Sequence, residues 1–432
     1  MKIILDQSGQ KTMDAEVKIL SAFQKTKTSK VKGKATTEHV VSVDHWVDKN
    51  LQEEFANLKA AKNFKGEMIT FSGAMGDTVK VVGLGDKAKL KAEDLRKTTA
   101  RVFKTLKAEK HTTISFDVGS FDVVRDTVRA VSLMSEAIGM SNYTFDKYLG
   151  KKSPAALQTV LFTGFEKRKE AALAKAIHDS QFMVNSINVA RDFANEAPNV
   201  LHSVEYAKQV EADVKANLKG VKIKILNKAQ IKAENMNLFL AVNAGSAHEP
   251  RLVHLTYEPT KKTGKTKHIA LVGKGITFDT GGYSLKPGPN MMTMKYDMSG
   301  SATVYGAFRA AVLMKAPVKI TCLMVMTDNA VSSGATTPDS IVRGRNGKTV
   351  EILNTDAEGR LILADALDYA CDLQPDGIID AATLTGACLV ALGNQVTGVM
   401  GNNQKWIDTV LKAGHESDEY MWQLPIIDEW RA

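Results

Sequence analysis

Three cysteines in 432 residues, Cys322, Cys371 and Cys388, are too few and too scattered for a disulfide framework. Cys322 sits in the apolar run 320–326 and reads as a core residue. A reducing compartment fits that usage. Long apolar runs are also missing. The N-terminal run, Ile3-Ile-Leu5, is too short for the core of a secretory signal. No stretch approaches the roughly 18 uncharged apolar residues of a membrane span. The expected location is therefore the cytoplasm, without a membrane partner. The sequence lacks H-E-x-x-H and G-x-S-x-G, and its nine histidines avoid the acidic clusters described below. That argues against histidine-rich zinc sites and a Ser-His nucleophile. Gly83-Leu-Gly85 lacks the third glycine of a dinucleotide fingerprint and reads as a plain strand-to-helix turn.

What is present suits a sizeable globular chain. Hydrophobic residues make up 44%, enough for a large core without disulfides or structural metals. The length suggests two or three domains. The 57 basic and 48 acidic residues leave +9. Part of that excess is the run Lys25, Lys27, Lys30, Lys32 and Lys34, which reads as a solvated lysine-rich loop. A basic surface also attracts nucleic acid, the alternative partner.

Two regions separate near residues 150–200. In the first, strands are expected at 78–84, 113–118 and 159–162. Between them Leu95, Val102, Phe103 and Leu106 recur at helical spacing, and 123–140 continues as a second helix. The alternation implies an α/β layer fold with a largely parallel sheet. A long helix over 170–194, ending before Pro198, bridges to the second region. That region offers strands at 268–272, 319–326, 350–353 and 377–382, and helices at 301–314 and 361–371. The expected limits are an N-terminal α/β domain over 1–165, a linking helix over 166–200 and a catalytic domain over 201–432.

Three short segments carry the chemistry. Gly273-Lys274-Gly275-Ile-Thr-Phe-Asp279-Thr-Gly281-Gly282 follows the strand at 268–272, so Lys274 and Asp279 are expected in the loop where α/β ligands bind. It lacks phosphate-loop spacing, and Asp279 would repel a phosphate. Asp297 precedes the helix at 301–314; on its own it reads as a helix cap. Asn354-Thr-Asp356-Ala-Glu358-Gly-Arg360 leads from a strand into a helix. Asp356 and Glu358, two apart, point the same way if extended, and adjacent carboxylates repel unless a cation lies between them. Four carboxylates beyond strand ends favour a shared metal site over four separate caps. Their hard oxygens suit Mg²⁺ or Mn²⁺ and accept Zn²⁺. Four can hold two ions about 3.5–4 Å apart.

Asn354–Leu361 resembles the signature octapeptide of the leucyl aminopeptidase family. Residues 272–286, 294–300, 191–200 and 380–386 are similar to that family too. The resemblance implies a small N-terminal α/β domain and a larger C-terminal α/β catalytic domain with a central mixed sheet. It implies metal-dependent release of the N-terminal residue from peptides with a free N-terminus, by a two-metal-activated water in a homohexamer. Asp279 and Glu358 would bridge two ions (Zn²⁺, Mn²⁺ or Mg²⁺). Lys274, as the neutral amine, and Asp297 would complete one site, and Asp356 the other. Burial and two cations would depress the Lys274 pKa. Lys286 would stabilise the oxyanion, and Arg360 would hold a bicarbonate that accepts the water's proton. Met294, Thr383, Leu384 and Gly386 would help form the substrate cleft. Members usually continue well past the point matching Leu424-Pro425. The resemblance thus implies a catalytic domain lacking its C-terminal end, and leaves a DNA-binding or catalytically inactive structural member as the alternative.

Overall fold

The computed structural model describes residues 1–6, 15–31, 34–42, 65–72, 78–121, 126–151, 157–260, 266–427 and 429. The chain forms two compact units, Met1–Asn185 and Ser186–Ala432.

The first unit contains β1 (Lys2–Leu5), β2 (Val17–Val31), β3 (Lys34–Ser42), β4 (Lys65–Ser72), β5 (Thr78–Asp86), α1 (Ala92–Ala108), β6 (Thr113–Asp117), α2 (Thr127–Ser141), β7 (Thr159–Thr163) and most of α3 (Glu170–Asn195). Its sheet runs β1-β7-β6-β2-β5-β4, with β3 attached to β2. The five strands from β1 to β5 along this order are parallel, while β3 and β4 pair antiparallel. The helical spacing in α1 places Leu95, Val102, Phe103 and Leu106 in the core with Phe116 and Phe162. The start of the expected 123–140 helix lies outside the described residues; α2 begins at Thr127.

Four of the five lysines of the run do not lie in a loop. Lys25, Lys27 and Lys30 lie in β2 and Lys34 opens β3, so a β-hairpin carries them. The interleaved Thr26 and Thr28 are β-branched and suit strand backbone. Lys32 lies outside the described residues.

The second unit continues with α4 (Ser203–Asn217), β8 (Lys222–Leu226), α5 (Lys228–Ala233), α6 (Asn237–Asn243), β9 (Arg251–Tyr257), β10 (His268–Asp279), the short α7 (Gly288–Met291), α8 (Ser299–Leu313), β11 (Lys319–Asn329), β12 (Ser340–Arg343), β13 (Thr349–Ile352), α9 (Glu358–Asp372), β14 (Gly377–Ala381), α10 (Gly386–Leu392), β15 (Thr397–Val399), α11 (Gln404–Glu416) and β16 (Met421–Gln423). The central sheet is mixed, in the order β14-β10-β11-β9-β8. β10 is parallel to both neighbours; β9 runs antiparallel to β11 and β8.

The period of two along β11 builds both faces of this sheet. Cys322, Met324 and Met326 pack with Tyr206 of α4 and Tyr305 and Phe308 of α8. Leu323 and Val325 pack with Phe239 of α6 and Ile362 and Ala366 of α9. Among the described residues no helix is long and apolar enough to cross a membrane.

β10 overturns one expectation. It does not end at Val272 but runs on to Asp279, in register with β11 as far as Ile276 opposite Thr327. Gly273 and Gly275 look like turn signals but serve close packing. A Cβ at Gly273 would fall 2.5 Å from the Ser301 Cα, and one at Gly275 would fall 2.6 Å from the Val325 carbonyl oxygen. Lys274 is therefore a mid-strand residue, not a loop residue.

Candidate metal centre

Strand alternation gives Lys274 the same side as Ala270 and Val272, the side covered by α9. Gly359, in the first turn of α9, leaves room for it: a Cβ there would lie 2.8 Å from both Cε and Nζ of Lys274. Lys274 is 2% exposed. Its Nζ lies 2.9 Å from Asp297 Oδ2 and 2.8 Å from Glu358 Oε1, and donates to the Thr383 carbonyl at 3.0 Å. Lys286 makes the matching bridge, 2.9 Å from Asp279 Oδ2 and 2.5 Å from Asp356 Oδ1. Two ammonium groups thus lie among four carboxylates. Carboxylate oxygens of Asp279, Asp356 and Glu358 all fall within 4.8 Å of one another.

Each acid reaches the cluster by a separate device. Asp279 closes β10 after an irregularity in its pairing with β11, and its Oδ1 accepts from the Gly281 amide at 2.9 Å. The following Gly281 and Gly282 take φ of 86° and 64°, the left-handed turn that brings Lys286 back. Asp297 lies in a 3-10 helix, Met294–Met298, and is buried. It does not cap α8, whose N-cap position is Met298 without a side-chain cap; Asp297 Oδ1 instead accepts from Thr383 Oγ1 at 2.7 Å. Asp356 and Glu358 are not on extended backbone. Thr355–Ala357 form a 3-10 turn, with the Asp356 amide donating to Asn354 Oδ1 at 2.7 Å, and Glu358 opens α9. The turn, rather than strand alternation, brings their carboxylates together.

Electrostatics follow from burial and these pairings. Burial pushes the Lys274 ammonium down, but Asp297 and Glu358 outweigh it and hold the pKa above the ordinary lysine value. The depression expected from two cations is not the behaviour of the metal-free site, where carboxylates are the neighbours. Burial pushes the Asp297 carboxyl up to about 7, against the pull of Lys274. Burial also raises Glu358. Lys286 loses some charge stability to burial, but Asp356 and Asp279 hold it above the usual range.

Of the residues expected to meet substrate, Thr383 joins the cluster through its hydroxyl and carbonyl. Met294 opens the 3-10 helix that carries Asp297. Leu384 is 46% exposed and Gly386 is exposed at the start of α10. No side-chain hydrogen bond among the described residues joins these three to the acids. Arg360 is exposed and makes no ion pair among the described residues. A cleft of about 400 Å³ lined by Pro198, Phe278, Met291, Met292 and Tyr296 adjoins the Asp297 helix.

Two participants escaped sequence reading. Asn329 Nδ2 donates to Asp279 Oδ1 at 2.9 Å and to the Thr355 carbonyl at 3.0 Å. Thr355 Oγ1 donates to the Gly281 carbonyl and accepts from the Ser284 amide. The available signal was the switch from the apolar run of β11 to Thr327-Asp328-Asn329 at its end.

The catalytic-domain profile of the cytosol aminopeptidase family matches residues 188–432, and that family's N-terminal-domain profile matches residues 31–152. A probable cytosol aminopeptidase of Pseudomonas fluorescens (strain SBW25) is 41% identical over 357 residues, 82% of this chain and 71% of that protein. A cytosol aminopeptidase of Pseudomonas aeruginosa is 41% identical over 356 residues, with the same shares covered. The solved structure of the bottromycin maturation enzyme BotP is similar with a TM-score of 0.79 at 25% identity, covering 96% of this chain and 82% of that one. A structure of that enzyme in complex with Mn gives 0.78 at 25% identity, covering 96% and 83%.

Proposed function

The chain belongs to the cytosol aminopeptidase family and is a metallo-exopeptidase acting on peptides; from that premise we propose that Lys274, Asp279, Asp297, Asp356 and Glu358 hold two divalent ions that activate the attacking water. The convergence of Asp279, Asp356 and Glu358 within 4.8 Å carries this reading. The donor set fits such ions. Among the described residues Glu358 Oε2 is buried without a hydrogen-bond partner, an acceptor with capacity to spare. The two lysine ammoniums lie among the acids where positive charge is needed. The similar enzyme BotP, with a structure in complex with Mn, adds support.

Asp279 and Glu358 would be shared by both ions, Lys274 and Asp297 would complete one site, and Asp356 the other. When bound, a pair of such ions polarises the scissile carbonyl and lowers the pKa of a water. The chain's own groups do the rest. Lys274 would have to be the neutral amine to serve as a ligand; its Nζ here donates to the Thr383 carbonyl. Lys286, which here bridges Asp279 and Asp356, would as a cation stabilise the developing oxyanion. Arg360, exposed beside Glu358, would hold a bicarbonate as proton acceptor. Met294, Thr383, Leu384 and Gly386 would border the substrate. Zn²⁺, Mn²⁺ and Mg²⁺ all suit the ligands. Homohexameric assembly belongs to the same reading; exposed apolar residues in the second unit, Val390 at 91% and Trp422 at 65%, support a further covered face. Light scattering tests it.

The deciding assay is release of leucine from an aminoacyl chromogenic substrate with added Mn²⁺ or Zn²⁺, and then with a chelator. Asp356→Ala and Glu358→Ala should each abolish the metal-dependent rate. Turnover indifferent to chelator and substitutions alike would sink the mechanism.

A further inference from the structure

At the end of β11, Asn329 faces Asp279 across the parallel pairing with β10. It is 5% exposed, and its polar groups are committed in a definite way. One amide hydrogen of Nδ2 goes to Asp279 Oδ1 and the other to the carbonyl of Thr355, the residue before Asp356. Its backbone carbonyl accepts from both the amide and the hydroxyl of Thr280, at 3.0 and 2.8 Å. One residue therefore ties three stretches together: the end of β10, the turn after it, and the turn carrying Asp356 and Glu358.

The consequence for Asp279 is geometric. Its Oδ1 is occupied from one side by the Gly281 amide and from the other by Asn329. Two such bonds fix the plane of the carboxylate, and Oδ2 is left toward Lys286 and the acid cluster. A side chain with a single donor hydrogen could serve only one of the two acceptors. A carboxylate there would set a second negative group against Asp279. An amide at this length meets both needs.

We infer that Asn329 is a positioning residue for the metal centre, one that orients Asp279 and ties it to the Asp356 turn so that both carboxylates present ligand oxygens to the same ions. This rests on the two-ion reading above. Partners that hold ligands in place typically contribute roughly 10- to 100-fold to metal affinity.

The test is titration of the full chain with Mn²⁺ alone by calorimetry. Asn329→Leu removes both donors with the same branching and without adding charge, and Asn329→Ser leaves at most one donor on a shorter side chain, too few for both acceptors. Thr336→Val is the control, since it deletes a nearby hydrogen bond, to the Ala241 carbonyl, without touching a ligand. Each variant's metal-free unfolding midpoint is recorded alongside. Both Asn329 variants should lose roughly 10- to 100-fold in affinity, while the control keeps wild-type affinity even if its midpoint falls. Should the leucine variant not fold, the serine variant decides. Folded Asn329 variants that bind as tightly as wild type overturn the positioning role alone. An affinity loss that tracks the midpoint in the control as well makes Asn329 merely structural, and also overturns it. A wild-type chain that binds no Mn²⁺ overturns the two-ion reading, and the inference with it.

Discussion

Lys274 in the metal-free chain is a cation shared by Asp297 and Glu358, and its pKa lies above the ordinary lysine value. A metal must displace that proton. Asp297, raised by burial to about 7, must be ionised as well. Both demands have the same sign: metal affinity should fall as pH falls, most steeply below about 7, where Asp297 adds its proton to that of Lys274. Calorimetry at pH 6 and 8, in buffers of different ionisation enthalpy, should show weaker binding at pH 6 and proton release at both. Affinity that is flat with pH would rule out Lys274 as a ligand. Stability without metal runs the opposite way. A carboxyl raised above its ordinary 3.8 contributes most below that value, and the contribution is lost as pH rises through about 7. Gly359 gives a steric prediction at the same scale. In Gly359→Ala the new Cβ would press on Lys274 Nζ from 2.8 Å, so Mn²⁺ affinity should drop at least about tenfold. Gly288→Ala, with open space around it, should change nothing. The acids and both lysines were legible as residues because they cluster in short segments. Asn329 and the anchoring role of Thr383 were not, since their use depends on which strand end and which turn meet them in space.

The glycines of β10 mislead because a glycine signals either a turn or a close approach, and sequence alone does not say which. Here the approach is of α8 to β10 and β14. Gly300 shows its severity: a Cβ there would lie 2.1 Å from the Ala381 carbonyl and 3.1 Å from the Ala382 Cα, both backbone atoms that cannot rotate aside. Gly300→Ala should therefore push α8 away from β14 and destabilise the second unit by about 1–3 kcal/mol or more. Urea unfolding followed by tryptophan fluorescence measures it; an unchanged midpoint would mean that α8 can shift freely. Metal binding should suffer too, because Asp297 lies just before α8. Elements with a plain period were readable: α1 from its apolar spacing, and β5, β6 and β7 from their apolar runs. The hairpin of β2 and β3 was not. Its lysines and threonines carry no apolar alternation, and what favours strand there is β-branching together with pairing to distant partners.

Across the whole chain, the α/β character follows from the order of runs and helical patterns, whereas the mixed sheet of the second unit was implied by the family resemblance alone. The division near 185 falls inside α3, where no break in periodicity marks it. The two units differ in what a metal should do to them. In the second, four acids and two lysines leave a net −2 if all are ionised, and without metal the lysine bridges supply the positive charge that holds them together. Ions binding there add stability by mass action, about 2.7 kcal/mol at 100 times the dissociation constant. A difference of that size slows opening roughly 100-fold. Hydrogen exchange should therefore slow on adding Mn²⁺ at 270–300 and 350–362, the segments that carry the ligands. Amides of β5, β6 and β7, in a unit with no proposed ligand, should exchange at unchanged rates. Uniform slowing throughout would show that the units open as one. No slowing at the ligand segments, with Mn²⁺ bound, would place the ion elsewhere than among these acids.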